Sequence, residues 1–193
     1  MIDKDKKIKC YVIAKQSGIV AGVEESRLLT KNEKVRVIND DGSEVKDKDV
    51  IFEIEGDARR IMSYERTMLN IMQRMSGIAT LTYDTKNMAD CFIAATRKTL
   101  PHLIDKKAVA LGQGLTHRLN LNDFIMIKDN HLGILGGNIK EALKFANKSK
   151  SKYIEIEVKN EKESKVVVED LKAAKFIATS INKREAKSFT DPR

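Results

Sequence analysis

The stretch FIMIKDNHLGILGGNIKEALKFANKSKSKYIEIEV (124–158) decides the fold. FIMIKD (124–129) and KYIEIEV (152–158) are short apolar runs of strand type. Between them, NIKEALKFANKSK (138–150) sets Ile139, Ala142, Leu143 and Phe145 at helical spacing. Strand, helix, strand in that order predicts two parallel strands joined by a helical crossover, because a tight turn can only join antiparallel neighbours. The alternation extends both ways. Upstream, CFIAAT (91–96) has the composition of a buried strand, and a helix is expected from Pro101 to about Leu111. Downstream, ESKVVVEDLKAAK (163–175) and REAKSF (184–189) are expected helices flanking a strand at FIATS (176–180). The chain from 91 to 193 therefore predicts an α/β domain.

The N-terminal part has a different period. IKCYVIAK (8–15), GIVAG (18–22), KVRVIN (34–39) and DVIFEIEG (49–56) are β-rich runs divided by turn chemistry, with Asp41-Gly42 a hairpin signal. Residues 1–63 are expected to form a β-rich sandwich. From Ala58 the apolar residues Ile61, Met62, Met68, Leu69, Met72 and Met75 adopt helical spacing, and the methionines are expected as adaptable core packing. Gly77 is expected to interrupt this helix, a second helical stretch running to about Asp90, so that 64–90 connects the two domains.

Composition narrows the function. Charged residues make up 33% and hydrophobic ones 41%, and no apolar run approaches the ~20 residues that cross a bilayer. MIDKDKKIKC (1–10) lacks the apolar core of a secretory signal, and Cys10 and Cys91 form no CxxC pair; both features predict a cytoplasmic protein with reduced thiols. The net charge of +8 is uneven: 13 Lys+Arg against 13 Asp+Glu in 1–63, 9 against 6 in 64–131, 14 against 9 in 132–193. With 5% aromatics, no Trp and no recognition motif, the excess predicts a lysine-rich solvated surface and no nucleic-acid partner.

The chemistry collects at expected strand ends. CFIAAT runs into Arg97-Lys98, FIMI into Lys128-Asp129-Asn130-His131, and IEIEV places Glu155 and Glu157 on one face. In a β/α barrel such ends form the active-site mouth, so these groups are expected to converge. Gly112-Gln113-Gly114 precedes Thr116-His117-Arg118, and its glycines suit either a structural turn or close approach to a ligand. Cations at this density, arginine forks among them, predict a ligand with several negative charges. A carboxylate opposite them suits a phosphoryl- or pyrophosphate-bearing substrate with Mg²⁺.

YERTMLNIMQRMSGIATLT (64–82), ATRKT (95–99), the block from Gly112 to Asp123, IKDNH (127–131) and IEIEV (154–158) together resemble the quinolinate phosphoribosyltransferases, in that family's order and approximate spacing. GIVAG and EIEGDAR fit its first domain. The resemblance implies an α/β fold: an N-terminal α/β sandwich followed by an incomplete α/β barrel of the type II phosphoribosyltransferase kind. It implies phosphoribosyl transfer from PRPP to quinolinate with decarboxylation, giving nicotinate mononucleotide, CO₂ and pyrophosphate. Arg97, Lys98, His117 and Arg118 would surround the quinolinate carboxylates. Lys98, Lys128 and Glu157 would act on the PRPP side as the catalytic set, with Glu157 near Mg²⁺ or the ribose. Arg66 resembles an arginine donated across a homodimer into the partner's site.

The sequence also departs from that pattern. Gln113 stands between two glycines where the family has a third, Leu100-Pro101-His102-Leu103-Ile104 is short and lacks an arginine, and Thr179-Ser180-Ile181 replaces an expected acidic strand end. A 5′-phosphate loop is not visible before Arg193. Two outcomes are therefore weighed: an active transferase, and a truncated or degenerate homologue that binds an anion or a partner chain without full catalysis.

Overall fold

The structure is a computed structural model that describes residues 6–89, 92–99, 101–149, 151, 153–160, 162, 163 and 165. The expected helices and strand beyond 165, and Thr179-Ser180-Ile181 with them, lie outside the described residues. So does Cys91.

β1 (Lys7–Ile13), β3 (Lys34–Val37) and β5 (Val50–Asp57) form an antiparallel sheet with β5 in the centre. Phe52 and Ile54 on β5 are fully buried. The short strands β2 (Gly18–Ile19) and β4 (Glu44–Val45) pair separately. The Asp41-Gly42 turn thus links strands of two different pairings and closes no hairpin between neighbours. Its local geometry is as expected, with Gly42 at φ +87°. Asp41 has a further role: its carboxylate accepts the N–H groups of Val23 (2.9 Å) and Glu24 (3.2 Å), the free donors at the start of α1 (Val23–Leu29). That helix was not anticipated, because its cap lies 17 and 18 residues away in sequence.

α2 (Ala58–Met88) is one helix of 31 residues, capped by the Asp57 side chain on the Arg60 N–H. Ile61, Met68, Met72, Met75, Ala79 and Thr82 lie on its buried face; of the six apolar residues expected to pack, Ile61, Met68, Met72 and Met75 are buried, Leu69 is half-buried and Met62 is exposed. Gly77 does not interrupt it. A mid-helix glycine costs only about 1 kcal/mol relative to alanine. The residues on either side of it are held from outside: Ser76 Oγ accepts the Ala21 N–H at 3.0 Å and Thr80 Oγ1 the Ile19 N–H at 2.9 Å.

Among the described residues of the expected strand at CFIAAT, one parallel bridge forms, Ala94 to Leu115. α3 (His102–Leu111) follows Pro101 as expected. Lys107 on α3 reaches Glu24 (2.6 Å), Glu25 (2.8 Å) and Asp41 (3.7 Å), tying α3 to α1. Burial works to lower the Lys107 pKa, but the hydrogen bonds and charges of these carboxylates outweigh it and raise it above the ordinary lysine value.

The expected parallel pair is present. β6 (Ile125–Ile127) and β7 (Ile154–Ile156) align in register, Ile125 with Ile154 and Ile127 with Ile156. Between them run α4 (Asp129–Ile134) and α5 (Ile139–Asn147). Ile127, Leu132, Ile139, Ala142, Leu143, Ala146, Ile154, Ile156 and Val158 form a separate core. Ala146 takes the inward position expected for Phe145, which is 53% exposed. Ile139, Ala142, Leu143 and Ala146 complete the i, i+3, i+4, i+7 stripe, and Phe145 falls outside it. The chain groups into two compact units, Met1–Leu119 and Asn120–Arg193.

Candidate active site

In the first unit, two motif segments lie side by side. The Ala95 N–H donates to Leu115 O at 3.0 Å and the Leu115 N–H to Ile93 O at 2.8 Å, which sets ATRKT (95–99) against LTHR (115–118). Arg97, Lys98, His117 and Arg118 are thereby carried on adjacent backbone, as the sequence suggested. Lys98 is exposed, and the other three are half-buried. Arg97 Nε is buried and has no hydrogen-bond partner among the described residues. Buried guanidinium donors are normally satisfied, so the unpaired nitrogen singles out the Arg97 side chain as a candidate for binding an acceptor. His117 adopts φ +56°, a left-handed conformation that costs a non-glycine residue about 1–2 kcal/mol and is characteristic of functional loops.

The glycines before this loop serve packing. A Cβ on Gly112 would stand 2.3 Å from Ala79 O, and one on Gly114 2.7 Å from Thr82 Cγ2, both on α2. Between them Gln113 has φ +65°, so a glycine-favouring conformation persists where the residue is not glycine. Its side-chain oxygen accepts from Lys86 Nζ at 2.6 Å.

Beneath the two segments sit charged residues that sequence reasoning missed. Asp105 and Lys106, on the first turns of α3, are 7% and 1% exposed. Lys106 Nζ donates to Ala95 O at 2.7 Å and also to Thr116 O. Asp105 accepts from Arg74 Nε (2.8 Å) and Nη2 (2.7 Å), and from the Thr99 hydroxyl. The available signal was positional: Asp105 precedes Ala108 and Val109, both buried, by three and four residues, so a charge occupies a core position of the helix.

In the second unit, Lys128 and Glu157 lie just beyond the carboxyl ends of the parallel strands β6 and β7. Lys128 Nζ and Glu157 Oε1 are 2.6 Å apart, with side chains 34% and 30% exposed. The Glu157 N–H donates to Ile127 O at 2.9 Å, continuing the ladder to this residue. The Lys128 N–H donates to His131 Nδ1 at 3.0 Å, which leaves the imidazole proton on Nε2. Glu155 shares the Glu157 face but is buried. Arg66 is exposed on α2, two residues from buried Met68 and therefore on nearly the opposite side of the helix. For the expected Mg²⁺, no group of three His, Cys, Asp or Glu side chains that could hold a metal occurs among the described residues. The Glu157 oxygen is already engaged by Lys128. Among the described residues, the chain's own donors therefore do not form a metal cage. No helix among the described residues is long and apolar enough to cross a membrane.

Known proteins resemble the chain in sequence and in fold. The family description "Quinolinate phosphoribosyl transferase, N-terminal domain" matches residues 1–76, and the corresponding C-terminal domain matches 78–179. The chain is 40% identical over 171 residues to a Methanothermobacter thermautotrophicus protein described as "Probable nicotinate-nucleotide pyrophosphorylase (carboxylating)", covering 83% of this chain and 61% of that one. It is 40% identical to the chloroplastic nicotinate-nucleotide pyrophosphorylase (carboxylating) of Arabidopsis thaliana, covering 81% and 47%. The chain thus spans about half to two thirds of the length of these curated relatives. Among solved structures, NadC from Streptococcus pyogenes superposes with a TM-score of 0.75 at 31% identity, over 86% of this chain and 64% of that one. The nicotinate-nucleotide pyrophosphorylase of Francisella tularensis gives 0.81 at 26% identity, over 93% and 75%. Matched in sequence across both domains and in fold, the chain belongs to the quinolinate phosphoribosyl transferase family.

Proposed function

We propose that the chain serves phosphoribosyl transfer from PRPP to the ring nitrogen of quinolinate, with loss of CO₂ and pyrophosphate, giving nicotinate mononucleotide for NAD biosynthesis. The observation that carries this reading is the buried Arg97 Nε, without a hydrogen-bond partner among the described residues, on a segment bonded to the one that leads into the His117-Arg118 loop. A dicarboxylate is a fitting acceptor, because an arginine fork pairs a carboxylate through two parallel hydrogen bonds. Arg97, Lys98, His117 and Arg118 bind and orient the two carboxylates in this reading. Lys98 and Lys128 act on the phosphate oxygens of PRPP, offsetting negative charge as pyrophosphate departs. Glu157 faces the positive charge that develops on the ribose, and Lys128 orients its carboxylate until substrate arrives. Mg²⁺ enters only with PRPP, whose oxygens would carry it, Glu157 being the one carboxylate assigned to that side. Arg66 is assigned to the partner's site in a homodimer.

The test is CO₂ release that requires both PRPP and quinolinate and is lost in Lys98→Ala and Arg118→Ala. Saturable quinolinate binding without turnover would instead support an anion-binding homologue. Absence of both would remove the reading.

A further inference from the structure

We propose that Lys106 is a positioning residue for anion recognition, its buried ammonium fixing the spacing between the Arg97-Lys98 segment and the His117-Arg118 loop. The inference rests on the functional reading above and adds to it a residue that does not touch substrate.

A lysine ammonium has three donors and no acceptor, and burying it is costly unless acceptors surround it. Lys106 is 1% exposed, and two of the acceptors it has are main-chain carbonyls, Ala95 O and Thr116 O. Each belongs to a functional segment. Ala95 stands two residues before Arg97, and Thr116 immediately precedes His117. Among the described residues one isolated bridge, from Ala94 to Leu115, is all that otherwise pairs these segments, so no extended ladder there fixes their separation. Two carbonyl dipoles directed at one point would repel each other without a cation between them. Asp105, the preceding residue, grips the far end of the same segment through the Thr99 hydroxyl and is itself held by Arg74 of α2. The start of α3 therefore grips the ATRKT segment at both ends, 95 and 99, and the histidine loop at 116. Arg97 and Lys98 lie between the two grips. The left-handed backbone at His117 begins one residue after the carbonyl that Lys106 holds, so the lysine also stabilises the entry to a strained turn.

Lys106→Met in the full chain fills the volume but supplies neither donor nor charge. Two readouts are taken: exchange of the Ala95 and Leu115 amide protons, and quinolinate affinity by calorimetry. The expected result is exchange at these two amides faster by about tenfold or more, with β5 and α2 amides unchanged, and quinolinate affinity weaker by about tenfold or more. If Lys106→Met does not fold, Lys106→Ala is prepared with n-propylammonium, which reproduces the missing side chain, or with 1-propanol, which reproduces its volume and a single hydroxyl donor but no charge. Recovery with the ammonium only supports the proposal; equal recovery with both, or with neither, overturns it. Wild-type exchange and affinity in Lys106→Met would also overturn it. A wild-type chain that binds no quinolinate would remove the functional reading, while the exchange experiment would still decide whether Lys106 holds the two segments.

Discussion

At the scale of the residue, the Lys128–Glu157 pair separates function from stability. Its side chains are about one third exposed, and ion pairs in such surroundings contribute about 0–1 kcal/mol to folding. A catalytic role would show a much larger effect on rate, since removing one group that stabilises developing charge costs about 10²–10³-fold in kcat. Lys128→Met and Glu157→Gln are therefore expected to lower kcat by about 10²-fold or more while shifting the unfolding free energy by less than about 1 kcal/mol. Steady-state kinetics beside denaturant titration checks both halves. Equal losses in the two would assign the pair to structure. Arg97 gives a different pattern. Arg97→Lys keeps the charge but loses the fork, so quinolinate KM should rise by about tenfold with kcat less affected. A lowered kcat at unchanged KM would contradict a binding role.

At the scale of the element, α2 and α3 show where sequence reading stops. The methionine face of α2 and the span of α3 were legible because helical period is a local property. The continuity of α2 through Gly77 was not, since it depends on Ile19 and Ala21, which are distant in sequence but bonded to Thr80 and Ser76. The same holds for Gly112, whose need for glycine comes from Ala79 on another helix. Gly112→Ala should destabilise by about 1–3 kcal/mol, because a backbone oxygen at 2.3 Å cannot rotate away as a side chain would. A thermal midpoint within a degree of wild type would refute the close approach. The Arg74–Asp105 link predicts a pH effect. The two hydrogen bonds from Arg74 hold the Asp105 carboxyl below its ordinary 3.8; burial opposes this and the Thr99 hydroxyl adds to it. The unfolded chain takes up the proton near the ordinary value, so the native state binds fewer protons just below it. The stabilisation is fully present above about pH 4 and is lost as pH falls through the lower, folded value. Asp105→Asn should cost about 1–2 kcal/mol at neutral pH, and its difference from wild type should narrow on acidification. A difference that stays constant down to pH 2 would show that the carboxylate is not the source.

At the scale of the whole molecule, the α/β class, the parallel β6–β7 pair and the motif order were legible, because each rests on period or on local residue identity. The assignment of Arg97, Lys98, His117 and Arg118 to one neighbourhood was legible for the same reason, through their motifs. The buried support beneath them was not, because Lys106 and Asp105 look like surface charges until α3 is packed. Arg66 raises the remaining question of scale. It is exposed on the side of α2 opposite Met68, so its side chain points away from its own core, as a residue that works on a second copy would. If it acts across a two-fold dimer, Arg66→Ala and Arg118→Ala damage different halves of each composite site. In a mixed dimer one site then carries both defects and the other carries neither. Random exchange makes half of the dimers mixed, each with one intact site of two, so two inactive variants combined should recover about a quarter of wild-type activity. Exchange is started by mild denaturation and dilution, and activity is followed against each variant treated alone. Recovery well above the single-variant baselines supports a site shared between copies. No recovery, with mixed dimers demonstrated by mass spectrometry, would place Arg66 in its own subunit's site or outside catalysis altogether.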